Sequence, residues 1–292
     1  MNVALFGKSI TPADVPYIQD LLDKLGTLQG AIFIHSQFFS NIREMVTFRK
    51  EPILFSSQGI IRGKADFLFS IGGDGTLLDT ITMVGDSGIP IIGINMGRMG
   101  FLSSIAKSEI LPAIDDIIEN KFTIDQRTLL RLETPNHLFG EFNYALNDVT
   151  VYKTTSVSLL TIKTYINDEF LNTYWADGLI VATPTGSTAY SLSCTGPILT
   201  PESANFVITP IASHNLTVRP IVVPDNSKIS LIVESRESEC FVGLDSRIEK
   251  IDSAIRLDIS KENFKINLLR LSNKLFFKTI REKLKWGLDL RN

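Results

Sequence analysis

The amino-acid sequence predicts an α/β N-terminal domain with an open, mostly parallel sheet, followed by a mostly β C-terminal domain. Three observations carry that reading. Up to about residue 120, apolar runs alternate with stretches of helical periodicity. Beyond Thr123 the runs become short, rich in β-branched residues and separated by turn formers. The chain has 292 residues, 44% hydrophobic and 21% charged, enough for two ordinary domains with cores of their own. The expected boundaries are 1–124 and 125–267, with a tail, 268–292, that packs back on the first domain.

Val3–Phe6 is a short apolar run that stops at Gly7, and it reads as a first strand. Pro12 to Leu25 places Val15, Ile18, Leu21, Leu22 and Leu25 at helical spacing. Ala31–Ile34 reads as a second strand. Phe67–Ile71 is continuously apolar and ends in Gly72-Gly73, the pattern of a central parallel strand buried on both faces. Leu77 to Val84 reads as helix, Ile89–Ile94 as another buried strand, and Ser108 to Asn120 as helix. The β-rich half begins with Leu129–Glu133, Asn143–Tyr152 and Ser158–Ile166. It continues with Asn205–Thr209, Ser227–Glu234 and Cys240–Leu244. Helix is expected there only near Ser187–Leu192, and again in the basic amphipathic stretch from Ser272 to Leu288.

The formal net charge is −3, so no global basic field exists to hold nucleic acid or an anionic membrane. No window of eighteen or more apolar residues appears, and MNVALFG reads as a strand rather than a signal peptide. The two cysteines, Cys194 and Cys240, form no CxxC pair and suggest no disulfide framework. A cytoplasmic protein with no nucleic-acid and no membrane partner is expected. An anionic ligand would be held by backbone dipoles, single cations and a metal.

The most informative stretch of the first half is Gly72-Gly73-Asp74-Gly75-Thr76, between a buried strand and a helix. Its glycines let the backbone approach a ligand closely, and the helix N-terminus offers free N–H groups to a phosphate. Ligands of open α/β sheets sit at such strand ends. A tight turn in which Asp74 or Thr76 caps the helix is the competing reading. The loop lacks the endings of both a Walker A motif and a dinucleotide fingerprint.

In the second half, Thr183-Pro-Thr-Gly-Ser-Thr-Ala-Tyr190 crowds short hydroxyls around a proline and a glycine. Such a turn presents many donors and acceptors, as the sugars and phosphates of a dinucleotide require, although hydroxyls before a helix also serve as caps. Asn147-Asp148 offers an amide and a carboxylate at a strand end.

The glycine loop resembles one shared by NAD kinases, diacylglycerol and sphingosine kinases and phosphofructokinases. The second half selects among them. Trp175 to Ser193, with TPTGSTAY unbroken, is similar to the signature segment of NAD kinases. Ala145–Val149, Ile94–Leu102 and His214–Pro220 resemble other segments of that family, in family order from about residue 66 to about 245. The resemblance implies a kinase that phosphorylates the 2′-hydroxyl of NAD from ATP, with Mg²⁺ or another divalent cation as cofactor. It implies NAD and ATP as ligands, no protein metal cage, and a homodimer or homotetramer. Carried over residue by residue, it makes Asp74 the catalytic carboxylate facing the accepting hydroxyl. Gly72, Gly73, Gly75 and Thr76 hold phosphates. Asn147 and Asp148 contact the adenosine, and Thr188, Ala189 and Tyr190 lie near the adenine. Asp177 and Ser193 lie toward the nicotinamide. Arg98 or Lys107 could meet the ATP phosphates or be surface cations, and His214 could contact a phosphate or support a loop.

Two departures stand out. Many relatives have Arg where this chain has Trp175, which leaves open whether NADH is accepted besides NAD. Relatives often have Asp-Gly where this chain has Asp245-Ser246, which weakens a ligand role for Asp245. Two rival readings remain at this level: a lipid kinase sharing the glycine loop, and a dinucleotide-binding sensor without turnover.

Overall fold

In the computed structural model the chain divides into two compact units, Met1–Gln126 with Ile266–Asn292, and Arg127–Lys265. The structure describes residues 1–97, 100–154, 158–235, 239–252, 254–272 and 275–286.

The first unit is built on strands β1 (Val3–Gly7), β2 (Ile32–His35), β3 (Ile53–Phe55), β4 (Phe67–Ile71), β5 (Ile91–Asn95) and β6 (Ile105–Ala106). Its helices are α1 (Val15–Thr27), α2 (Ser36–Ile42), α3 (Gln58–Ile61), α4 (Asp74–Val84) and α5 (Ile110–Ile118). The strands pair in parallel in the order β5-β4-β1-β2-β3, with β6 beside β5. Every residue of β1 and β5 is buried, which explains why these strands read as unbroken apolar runs. Ile18 and Leu21 of α1 and Ile114 and Ile117 of α5 join Leu5, Ile34 and Ile92 in one core. Leu77, Ile81 and Val84 make the buried stripe of α4.

The second unit follows through β7 (Phe122–Glu133), β8 (Tyr144–Ala145), β9 (Asp148–Lys153), β10 (Leu160–Ile166), β11 (Glu169–Ala176) and β12 (Gly178–Ala182). The short helix α6 (Tyr190–Ser193) precedes β13 (Asn205–Ile211), β14 (Ile221–Pro224), β15 (Ile229–Glu234), β16 (Glu239–Leu244), β17 (Arg247–Asp252) and β18 (Ile255–Leu271). One antiparallel sheet has the order β14-β13-β12-β9-β16-β17. In the other, β10 lies antiparallel between β11 and β15, and β15 pairs with the start of β18. Val149, Val151, Leu179 and Val181 of the first sheet meet Ile162, Leu231 and Leu257 of the second in a shared core. The chain crosses the division between the units within β7 and within β18. Leu268 of β18 pairs in parallel with Ile91, and α7 (Phe276–Leu284) completes the first unit.

An α/β fold with a mostly parallel sheet, followed by a mostly β fold, is therefore present as the sequence predicts. Local differences have local causes. The helix expected from Pro12 opens with a 3₁₀ turn, Pro12–Asp14, fixed by Thr11 donating its backbone N–H and its hydroxyl to Asp14 at 3.0 and 2.6 Å. The helix expected from Leu77 starts three residues earlier, so the glycine loop is its first turn. The strand expected over Asn143–Tyr152 breaks at Leu146-Asn147, because a side chain captures the N–H groups there. Strands β3, β6, β11, β12, β14, β17 and β18 and helices α2 and α3 are not among the elements the sequence predicts.

Candidate active site

The first unit contributes the glycine loop. β4 delivers the chain to Gly72, whose N–H donates to the Ile94 carbonyl at 2.9 Å. Gly72 has φ of +153°, and a Cβ there would lie 2.3 Å from the Thr76 hydroxyl. Gly73 is the extended N-cap of α4, and the N–H groups of Asp74 and Gly75 have no carbonyl in their own helix to donate to. A Cβ on Gly73 or Gly75 would meet nothing within 4 Å. Neither glycine is demanded by packing, so the outer face of the loop is bare backbone in open space at the positive end of a helix. That arrangement suits a phosphate. Thr76 is buried, and Thr80 donates its hydroxyl proton to the Thr76 carbonyl and lies 2.9 Å from the Ser70 hydroxyl, fixing α4 against β4.

Asp74 is half-buried and aimed by backbone. Its carboxylate accepts the N–H groups of Phe101 at 2.7 Å, Leu102 at 3.1 Å and Ser103 at 2.9 Å. Close approach requires glycine at position 100, where a Cβ would sit 1.8 Å from Asp74 Oδ1. It also requires Gly93 beneath, where a Cβ would lie 2.7 Å from Ser103 Cα. A carboxylate has about four lone-pair directions. Three are taken, and one remains for a ligand.

The Lys107 ammonium pairs with Asp14 at 2.7 Å and lies over the Tyr17 ring. Arg98 lies outside the described residues.

The second unit gathers Asn147, Asp148 and the Thr183–Tyr190 turn. Asp245, in the turn between β16 and β17, accepts the N–H groups of Leu146, Asn147 and Asp148 at 2.8, 2.7 and 3.2 Å. Its own N–H returns a bond to the Asp148 carbonyl. Both oxygens of Asp245 are thereby engaged in shaping the loop. The sequence offers no local signal for this clamp.

The hydroxyls of the turn divide into two kinds. Buried Thr183 donates to Leu146 O and receives Gly186 N–H. Ser187 donates to Pro184 O and receives Leu199 N–H, and Thr185 accepts from Arg127 at 3.0 Å. These three are braces. Gly186 is the close approach: a Cβ there would lie 2.1 Å from the Asn147 carbonyl. The outer part differs. Thr188 and Ala189 are half-buried and Tyr190 is exposed.

Asn147 Oδ1 is buried with no hydrogen-bond partner in the structure. A buried acceptor left unsatisfied is costly, and a donor from outside the chain would satisfy it. Asp148 lies deeper, accepting the Thr150 hydroxyl at 2.8 Å. Burial, and then the charge of Asp245, push the Asp148 carboxyl up to about 7, while the Thr150 hydrogen bond pulls it down. Burial also raises Asp245, to about 6, against its three N–H donors. Burial raises the Tyr190 phenol, and the charges of Cys194 and Asp148 add to it, which places Tyr190 in the Asp148 neighbourhood.

Asp177 stands elsewhere. β9 and β12 pair with Asp148 opposite Ala182 and Tyr152 opposite Gly178. Asp148 and Asp177 therefore flank opposite ends of that pairing, roughly 15 Å apart at strand rise. Asp177 binds Lys153 at 2.6 Å. Next to it Trp175 is 48% exposed, its backbone laced to His214 N–H at 2.8 Å and to the Asn215 side chain at 3.1 Å. The exposed imidazole of His214 belongs to this end. Ser193 is exposed on α6, beside the turn that carries Tyr190. Among the described residues no cluster of three His, Cys, Asp or Glu side chains is placed to hold a metal.

Comparison with known proteins gives concordant matches. The ATP-NAD kinase N-terminal domain matches residues 45–122, and the ATP-NAD kinase C-terminal domain matches residues 146–271. The chain is 44% identical over 292 residues to an NAD kinase of Cytophaga hutchinsonii, covering 100% of both. It is 43% identical over 294 residues to an NAD kinase of Flavobacterium johnsoniae, again covering 100% of both. Among solved structures, yeast NADH kinase complexed with NADH superposes with a TM-score of 0.88 at 25% identity, over 100% of this chain and 89% of that one. An NAD kinase from Archaeoglobus fulgidus in complex with ATP shares the fold, with a TM-score of 0.72 at 23% identity over 98% and 99%.

Proposed function

Since the chain belongs to the ATP-NAD kinase family, we propose that its first unit holds the phosphates of the donor and its second unit holds the dinucleotide. The enzyme is a kinase that transfers the γ-phosphoryl group of ATP to the 2′-hydroxyl of the adenosine ribose of NAD, giving NADP.

The observation that carries the assignment of roles is the bare outer face of Gly73 and Gly75 at the start of α4, with Asp74 locked beside it by three N–H groups. Phosphoryl transfer is governed by positioning and charge neutralisation. The N–H groups of the Gly72–Thr76 turn take the phosphates. The free lone pair of Asp74 takes the 2′-hydroxyl, orients its oxygen for in-line attack and receives its proton as the bond to phosphorus forms. Asn147 offers its unsatisfied Oδ1 to a hydroxyl or amino group of the adenosine, with Asp148 behind it. Thr188, Ala189 and Tyr190 border the adenine, and Asp177 and Ser193 serve the nicotinamide side.

Magnesium fits this donor set only as a partner of the nucleotide. No carboxylate cage exists among the described residues, and Asp74 has one free direction. An ion with few protein ligands, arriving on the phosphates, is how Mg²⁺ is ordinarily held. When bound it neutralises phosphate charge.

Cys194 and Cys240 are free thiols, which suits a reducing cytoplasm, and no described helix is long and apolar enough to cross a membrane. The expected homodimer or homotetramer is settled by sedimentation of the purified chain.

The deciding experiment is a coupled assay. Purified protein is incubated with NAD, ATP and Mg²⁺, and NADP is read with an NADP-specific dehydrogenase. NADP that disappears on adding EDTA supports the reading. Binding of NAD without turnover would favour the sensor, and turnover of a lipid acceptor alone would favour the lipid kinase.

A further inference from the structure

α7 carries a cation that the glycine loop and Asp74 do not account for. The helix is amphipathic, with Ile280 buried and Lys278, Arg281 and Glu282 exposed. Its internal ion pair is Lys278 with Glu282, at 3.9 Å. Lys283 lies one turn from Ile280 on the inward side and is half-buried. Its ammonium stands 5.8 Å from the centre of the Phe101 ring. Phe101 is the residue whose N–H holds Asp74 at 2.7 Å. The ammonium, the ring, the carboxylate and the first turn of α4 therefore occupy one corner of the first unit.

A half-buried ammonium is stabilised by an ion pair in most proteins. Among the described residues no carboxylate lies within ion-pair distance of Lys283. Burial accordingly lowers its pKa, and the more distant charge of Asp74 only partly opposes this. Two other described cations near these strand ends are already engaged. Lys8 pairs with Asp79, and Lys107 pairs with Asp14. A loop that presents only N–H dipoles and one carboxylate has little with which to balance a triphosphate. Lys283 brings a whole positive charge, on a flexible stem, to the same corner.

We propose that Lys283 meets the terminal phosphates of the donor over the glycine loop. The role rests on the kinase reading above and extends it to a residue about two hundred positions further along the chain. The phosphates complete the ion pair that the protein leaves open, and the stem reaches them across the face of Phe101. The Phe101 ring holds the lysine near the loop while the site is empty, through a cation–π contact.

The test is steady-state kinetics of the full-length chain with Lys283→Met and Lys283→Arg. In Lys283→Met, KM for ATP should rise about ten- to hundredfold, the usual effect of losing a charged hydrogen bond. KM for NAD and the melting temperature should stay near those of the parent. Inorganic tripolyphosphate, a probe of the phosphates alone, should weaken by a similar factor as a competitor of ATP. Lys283→Arg should recover most of the loss, since a cation is restored. An unchanged KM for ATP in Lys283→Met overturns the inference. So does a general loss, with a lowered melting temperature and no recovery in Lys283→Arg, which would make Lys283 a packing residue. A parent chain that makes no NADP would overturn the kinase reading itself, and the inference with it.

Discussion

The carboxylate of Asp245 and the backbone of Asn147, 98 residues apart, lie 2.7 Å from each other, and the same carboxylate also takes the N–H groups on either side. Asp74 does the same to Phe101, Leu102 and Ser103. Each unit thus shapes its ligand loop by one device, an aspartate that gathers three consecutive N–H groups from a distant segment. The two differ in their surroundings. Asp245 also pairs its own N–H with the Asp148 carbonyl and so closes on the loop it holds, whereas Asp74 opens the first turn of α4, beside the bare face of Gly73 and Gly75.

Asp245→Asn is expected to destabilise the protein and weaken NAD. The amide keeps one acceptor oxygen and turns an NH₂ group toward N–H donors. Each buried N–H left unpaired costs about 1–3 kcal/mol. The unfolding midpoint should fall, and KM for NAD should rise while KM for ATP holds. A variant with parental stability would show that the clamp does not shape the Asn147 loop.

Asp74→Asn should act chiefly on the chemistry. The amide oxygen can keep the N–H groups of Leu102 and Ser103 while the NH₂ group faces that of Phe101, so some stability is lost here as well, but NAD still binds. The proton acceptor is gone, and kcat should drop on the order of 10²-fold or more. Isothermal titration with NAD beside the coupled assay separates the two effects. Full activity in this variant would remove Asp74 from the reaction.

Gly100→Ala tests the aim of Asp74 without touching it. The new methyl would fall 1.8 Å from Asp74 Oδ1, so the carboxylate or the loop must shift. A misplacement of about 1 Å at a reacting group costs on the order of 10²-fold. The loss should appear in kcat with little change in KM for NAD. An active Gly100→Ala enzyme would mean that the position of Asp74 tolerates displacement.

The parts of the fold and site legible in the sequence are those written in contiguous residues. Gly72 to Thr76 follow a buried strand directly, and Thr183 to Tyr190 form one turn, so strand pattern and turn chemistry announce both. The sheet order was legible only as a class, because parallel pairing depends on which apolar runs meet. The contacts that give the loops their shape were not legible at all. Gly100 has a reason only once Asp74 lies beside it. Asp245 looks like an ordinary turn residue until β16 and β17 bring it under Leu146. Lys283 reads as one of many basic residues in an amphipathic tail, because nothing in that tail says that its inward face meets Phe101.

Asp148 should make stability depend on pH in a direction that identifies it. Its carboxyl is raised to about 7 in the folded protein, by burial first and the Asp245 charge second. In the unfolded chain an aspartate titrates near about 3.9. Between these values the folded state holds a proton that the unfolded state has released, so stability falls as pH rises. Below the unfolded value both states are protonated, and above the folded value both are ionised, so the contribution is flat at either end. Asp148→Asn cannot titrate and supplies the reference. The unfolding free energy of the parent relative to Asp148→Asn should therefore decline from about pH 4 to about pH 7 and then level off. Chemical denaturation of both proteins across that range gives the difference directly. A difference that is constant, or that grows with pH, would mean that Asp148 is already ionised at low pH and that the proton sits elsewhere in the Asp148–Asp245 pair.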